Sequence, residues 1–306
     1  MIYSKLNYLK VKKKYLNFIK KQEVRGEPFY DKIDQLEKFY LPICRSIYKK
    51  TKKIKKNKAV IVGLSGGQGS GKTTIAQILN LILSNYFKLN STSFSIDDYY
   101  KTLEERERMA KIHGRLFLTR GVPGTHDVKM LLKDIKRLRN NDYKTIKIPR
   151  FDKSKDDRLP YKYWKKIKSK QQVIIFEGWC VGAKPQSTKR LLKPINELEK
   201  KYDSNLRWRK KVNNELKKNY RKVFKNLDAL IYLKVPSFNY VLKWRLLQEK
   251  KLRFKSKGKK LMNKNQIKNF IMYYERITKN MITDLEKAEI KINLDIKHRL
   301  KSIKFN

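Results

Sequence analysis

The sequence predicts an α/β fold built on a doubly wound, mostly parallel sheet of the phosphate-loop type. Three observations predict it. An apolar, β-branched run, Ala59-Val-Ile-Val-Gly-Leu64, breaks into glycines and then into a helix start. From Lys58 onward, short apolar runs of strand length alternate with helical patterns, the rhythm of βαβ units. Acids stand directly after two of those runs, Asp97-Asp98 after Ile96 and Glu177 after Phe176, and ligands of an open parallel sheet gather at such strand ends.

Taken in order, residues 1–55 read as an N-terminal helical extension and 56–306 as the phosphate-loop domain. Tyr8, Tyr15, Phe18 and Ile19 give a loose helical pattern. A second helix is expected from Asp31 through Tyr48, with Ile33, Leu36, Phe39 and Tyr40 on one side. The first twenty-two residues are basic and acid-free, as some targeting peptides are. They lack the arginine and serine bias of a transit peptide and the apolar core of a secretory signal, so a packed extension is the preferred reading.

Ala59–Leu64 is the first strand, leading into a helix to about Asn85 whose Ile75, Leu79, Ile82 and Leu83 are expected to be buried. Ser91–Ile96 is the second strand, and Leu103–Lys111 a polar helical piece. Asp127 is a good N-cap for the periodic run Val128, Leu131, Leu132, Ile135, Leu138. Thr145–Ile148 and Val173–Phe176 read as further strands, followed by a Lys- and Pro-rich insertion to about Asp203. Helices are expected over Leu206–Lys225, Phe238–Lys255 and Ile267–Met281, with strands at Leu230–Leu233 and, at the edge, Glu289–Leu294.

The turn after Leu64 fills the pattern G-x-x-x-x-G-K-[ST] with Gly66, Gly71, Lys72 and Thr73. Glycines let consecutive backbone N–H groups point at phosphate oxygens, and the following helix N-terminus adds its partial positive charge. Lys72 can then reach the β- and γ-phosphates while the Thr73 hydroxyl ligates Mg²⁺. Gly66, Gly67, Gln68, Gly69, Ser70, Gly71, Lys72, Thr73 and Thr74 are the candidate nucleotide-binding set. An acid after an apolar strand in such a protein serves Mg²⁺, so Thr73, Asp97 and Glu177 are the candidate metal set. Asp97 is also placed to orient or deprotonate an attacking hydroxyl, with Asp98 as the alternative.

Composition bounds the partners. The chain has 306 residues, 40% of them hydrophobic, enough for a sizeable core. No apolar run approaches the roughly 18 residues of a membrane span. Cys44 and Cys180 lie far apart, which argues for a reducing, cytoplasmic setting without a disulfide framework or zinc site. The formal charge of +49 invites a nucleic-acid reading. The excess is lysine spread from Lys5 to Lys304, with no basic helix of base-reading side chains, so no specific nucleic-acid partner is expected. A nucleic-acid-binding ATP switch and a scaffold that has lost activity remain the alternatives from other classes.

The order phosphate loop, Ile96-Asp97-Asp98-Tyr99-Tyr100, Arg120-Gly-Val-Pro-Gly-Thr-His126-Asp127, Phe151-Asp152-Lys-Ser154, Asp157-Arg158 and Phe176-Glu177-Gly178-Trp179 resembles the plant-type D-glycerate 3-kinases and their fungal kinase relatives. More remotely it is similar to uridine kinases, phosphoribulokinases and bacterial pantothenate kinases. The resemblance runs from about Tyr40 to near the C-terminus. It implies Mg²⁺- and ATP-dependent transfer of a phosphoryl group to a hydroxyl of a small hydroxy acid. It also implies that Asp97 is the base, that Asp127 holds a substrate hydroxyl and that Asp152–Arg158 lines the acceptor pocket. A lid over about 238–262 would bring Arg245 and Arg253 to the transferred phosphoryl. One departure is Lys155-Asp156, two charged residues where family members tend to carry glycine.

A glycerate-like acceptor needs a fork-shaped cation for its carboxylate and partners for its hydroxyls. Arg120 and Arg158 suit the first role, His126 and Asp127 the second. The plain readings beside these are an Arg120–Asp127 pair, a packed His126 and a surface ion pair at Arg158. Uridine-like and pantothenate-like acceptors stay open. Trp179 and Cys180 read as packing residues.

Overall fold

The strand that carries the phosphate loop is buried along its whole length, and everything else is placed from it. The computed structural model describes residues 5–23, 28–255 and 262–306, with 251–255 described by backbone alone. In chain order the described strands are β1 (Val60–Gly66), β2 (Ser91–Ser95), β3 (Ile146–Ile148), β4 (Phe151–Asp152) and β5 (Asp157–Arg158). There follow β6 (Lys165–Ile167), β7 (Val173–Gly178), β8 (Ala229–Lys234), β9 (Ile290–Leu294) and β10 (Leu300–Phe305). The central sheet runs β10-β9-β8-β1-β7-β2, parallel throughout except for the antiparallel β9–β10 pair. The predicted doubly wound sheet is therefore observed.

Alternation along β1 explains why the sheet is covered on both faces. Val60, Val62 and Leu64 join one hydrophobic cluster with Ile78, Leu79 and Ile82 of the helix Lys72–Asn85. Ile61 joins the other, with Leu131, Ile135 and Leu138 of the helix Val128–Asn140 and with Tyr220 and Val223. A strand buried on both faces reads as a continuous apolar run, which is what β1 and β7 show.

The N-terminal helix Lys5–Gln22 sinks Val11, Tyr15 and Ile19 into the first cluster. The second expected helix runs Lys32–Thr51 with a wide π turn at Leu36–Tyr40. Pro42 cannot donate to the preceding turn, and a one-residue widening there absorbs the missing hydrogen bond.

The short strand expected at Thr145–Ile148 is present as β3, which stands outside the central sheet and pairs antiparallel with β6 alone. Two expectations are corrected. The strand expected through Ile96 ends at Ser95, because the Ser95 hydroxyl caps a 3-10 turn over Ile96–Tyr99. The edge expected at Glu289–Leu294 is paired on both sides, and β10 is the true edge. Short strands with polar outer faces carry a weak pattern, so β10 escaped the sequence reading.

The Lys- and Pro-rich insertion is ordered around a buried ion cluster. Glu199, on the short helix Glu197–Tyr202, accepts from Arg276 Nε at 2.7 Å and Nη2 at 2.6 Å. Arg209 pairs with Asp203 at 2.7 Å and approaches Glu199 at 3.7 Å. No described helix is long and apolar enough to cross a membrane.

Candidate active site

Register alone brings the three predicted strand ends together. Leu64 of β1 lies beside Glu177 of β7, and Ser95 of β2 lies beside the same Glu177. The phosphate loop, Glu177 and the Asp97 turn therefore emerge side by side at the carboxyl edge of the sheet.

Two glycines of the loop take backbone angles that disfavour side chains, Gly69 at φ 76° and Gly71 at φ 86°. A Cβ on Gly69 would press within 3.0 Å of the Trp244 backbone, so the helix Phe238–Lys255 closes down on the loop. Gly71 ends the turn and Lys72 opens the helix. Lys72 Nζ donates to the Gly67 carbonyl at 2.9 Å, and Thr73 Oγ1 donates to Glu177 Oε1 at 2.9 Å. Burial pushes the Lys72 ammonium down in pKa, against the pull of Glu177 and Asp97. Burial likewise pushes the Glu177 carboxyl up, against the pull of Lys72.

Ser65 Oγ, Ser70 Oγ and the side-chain amide of Gln68 are buried with no protein partner. Orphaned polar atoms around a glycine cradle are what a polyphosphate would satisfy. The Thr73 hydroxyl and the Glu177 carboxylate supply the hard oxygens that Mg²⁺ takes. No cluster of three acidic, His or Cys ligands exists among the described residues.

The Asp97–Asp98 pair divides its work. Asp98 Oδ2 accepts from the Ser95 amide at 3.1 Å, completing the capping box of the 3-10 turn. Asp97 instead accepts from Tyr100 Oη at 2.9 Å and from Lys153 Nζ at 2.7 Å. Burial opposes its charge, but Lys153 and the Tyr100 hydroxyl hold the carboxyl down at about 2. Lys153 escaped the sequence reading because 56 residues separate it from Asp97.

The block Arg120–Asp127 is a tightly bonded turn. Asp127 caps the helix Val128–Asn140 by accepting from the Met130 amide at 3.0 Å. His126 is buried, stacked on Tyr100 at 4.5 Å, and its Nδ1 meets Tyr220 Oη at 2.5 Å. Its Nε2 is buried without a partner, and desolvation lowers the imidazole pKa to about 3, so the ring is neutral. Trp179 Nε1 donates to the Gly121 carbonyl at 3.0 Å, the packing role expected of it. Cys180 is fully buried and free, also as expected.

The hairpin β4–β5 carries the acceptor loop. Asp152 is spent locally, accepting from the Ser154 amide at 2.8 Å to close the hairpin tip. Arg158 donates to the Tyr100 carbonyl at 2.8 Å and lies 3.9 Å from Asp127. Arg120 pairs with the carboxylate of Asp156, not with Asp127. The fully buried Arg106 holds the other oxygen of that carboxylate at 3.1 Å. Arg106 gave no signal beyond membership of a polar helix. Asp156 sits at φ 56°, a left-handed conformation in which glycine would be unstrained. Arg245 forms an ion pair with Glu249 at 2.6 Å, one turn along its helix. The side chain of Arg253 lies outside the described residues.

The family model described as Phosphoribulokinase / Uridine kinase family matches residues 61–221, which hold the loop, both acidic strand ends and the acceptor hairpin. The chain belongs to this family. Among curated relatives, the uncharacterized kinase mug58 of Schizosaccharomyces pombe is 34% identical over 222 residues, 70% of this chain and 78% of the relative. The chloroplastic D-glycerate 3-kinase of Arabidopsis thaliana is 29% identical over 223 residues, 70% of this chain and 46% of that enzyme. The match thus spans about half of the plant enzyme. Among solved structures, D-glycerate 3-kinase from Cryptococcus neoformans superposes with a TM-score of 0.72. It is 23% identical and covers 87% of this chain and 97% of its own, which shows a shared fold. The resemblance read from the motifs is borne out.

Proposed function

We propose that this family member is an ATP-dependent kinase that phosphorylates D-glycerate to 3-phosphoglycerate in the cytoplasm. The observation that carries the reading is Asp97. It is a carboxylate held ionised beside the phosphate loop and within the electrostatic reach of Lys72 and Glu177.

Lys72 leaves the Gly67 carbonyl for the phosphates, and the loop amides cradle them. Thr73 and Glu177, with Asp97, would hold Mg²⁺, which would supply charge neutralisation to the phosphates. The acceptor hydroxyl oxygen forms the new bond to the γ-phosphorus as the bridging P–O bond to ADP breaks, and its proton passes to Asp97. A carboxyl held near 2 is a weak base, which suits a loose transition state in which the hydroxyl loses its proton late. Asp97 then works mainly by orienting the hydroxyl. The acceptor carboxylate is assigned to Arg120 and Arg158, the hydroxyls to His126 Nε2 and Asp127. Arg245 and Arg253 are assigned to the transferred phosphoryl.

A coupled ADP-release assay across small hydroxy acids, uridine and pantothenate tests this. Glycerate-dependent turnover is expected. Turnover with another acceptor and none with D-glycerate refutes the substrate assignment.

A further inference from the structure

A cavity opens beside the phosphate loop, at Gly69–Ile75. It holds about 480 Å³, within the range of small-molecule sites. One end is the loop and the helix start, Gly69–Ile75. The other is built from Phe29, Tyr30 and Tyr40 of the N-terminal region, with Trp244 and His298 as a flat wall. The Trp244 and His298 rings stack at 4.4 Å and 26°. Asp97, Glu177, Arg120 and Arg158 do not line the cavity.

A molecule that laid its phosphates on the loop and its acceptor-facing end toward Asp97 would carry its remaining body into this cavity. The aromatic faces suit a planar heterocycle, and the cations that also line the cavity, Lys72, Lys297 and Arg299, suit the phosphates it carries. The N-terminal segment is fastened there. Phe29 N donates to Glu23 Oε1 at 2.8 Å, and Lys32 pairs with the same carboxylate at 2.7 Å. Gln35 Nε2 donates to the Leu300 carbonyl at 3.2 Å, tying the second helix to the opposite rim.

We propose that Phe29–Tyr40 is one wall of the nucleoside subsite, so that the N-terminal extension binds the base and ribose of the nucleotide. This rests on the assignment of a nucleoside triphosphate as phosphoryl donor. The extension is thereby part of the donor site as well as a cover for the sheet, and it makes nucleotide affinity depend on chain outside the family-matched span.

The test measures binding by calorimetry on the full chain, with ADP and with inorganic tripolyphosphate, both in Mg²⁺. Tyr30 is 62% exposed, so Tyr30→Ala leaves the fold intact; Phe29→Ala is the second variant. Each is expected to weaken ADP roughly tenfold, the scale of one lost aromatic–base contact. Tripolyphosphate affinity should stay unchanged, and Tyr161→Ala, an equally exposed aromatic elsewhere, should alter neither. Wild-type affinity for ADP in both variants overturns the proposal. So does an equal loss for ADP and tripolyphosphate, which would place the effect on the phosphate loop. A wild-type chain that binds tripolyphosphate but no tighter when adenosine is attached overturns this proposal alone. A chain that binds neither ligand overturns the donor assignment with it.

Discussion

Replacing Asp97 with asparagine isolates the acceptor side of the site from the donor side. Asparagine keeps an oxygen for the Tyr100 hydroxyl, which now sits at 2.9 Å from Oδ1. It puts an amide donor where Oδ2 now accepts from Lys153 at 2.7 Å, so it neither orients nor receives the acceptor proton. Positioned acid–base groups contribute about 10²- to 10⁴-fold, which corresponds to about 3 to 5 kcal/mol of barrier. The contacts of Lys72 and Thr73 run to Gly67 and Glu177 and do not pass through Asp97. Asp97→Asn should therefore lower kcat by at least two orders of magnitude while the ATP dissociation constant moves by less than threefold. Steady-state ADP release and calorimetric nucleotide binding, made on the same preparation, read the two quantities. Turnover within threefold of wild type would move the base elsewhere, and an ATP affinity that fell with kcat would mean the loop had been disturbed.

Lys153→Met removes the partner of Asp97 at an exposed position, so stability should fall by less than about 1 kcal/mol. Because Lys153 holds the carboxyl down, its stabilisation is present above the ordinary carboxyl pKa and lost as pH falls through about 2. Activity at pH 7 should change with the Asp97 protonation state intact, and a new acid limb above pH 6 would contradict this. Burial pushes the Asp134 carboxyl up to about 6, with the Tyr99 hydroxyl donating to it at 3.0 Å. A raised carboxyl contributes fully below its unfolded value and loses that contribution as pH rises through 6. Asp134→Asn should raise the melting temperature by about 3 °C at pH 8 and leave it unchanged at pH 4, and equal shifts at both would refute the linkage. Glu199→Gln leaves Arg209 and Arg276 buried without their shared counter-charge. A loss of about 3 to 5 kcal/mol in denaturant unfolding is expected, and a loss under about 1 kcal/mol would mean the cluster is solvated.

Legibility followed distance along the chain. The run from Ala59 to Thr74 is strand, turn and helix in sixteen consecutive residues, and each of its parts is a local rule of apolar pattern, glycine backbone and helix start. The caps were equally local: Asp127 reaches the amide three residues on, and so announces its helix by position. Arg120 shows where that legibility stopped. Its partner is Asp156, 36 residues away, and Arg106 shares the same carboxylate from 50 residues away. No spacing rule links them. Lys153 likewise reaches Asp97 only because the β4–β5 hairpin folds back over the Asp97 turn.

By itself the sequence determined the doubly wound class, the phosphate loop and the acids at two strand ends, since these depend on residues that are neighbours in the chain. Tertiary structure alone decided that Ser95 and Leu64 share Glu177 as a lateral neighbour, which brings loop and acids to one edge. It also decided that Lys153 charges the Asp97 environment, that Asp156 occupies Arg120, and that N-terminal aromatics face the loop across a cavity. Each is a contact between segments that meet only when both faces of one buried sheet must be covered, and sheet register, not sequence spacing, sets which atoms then touch.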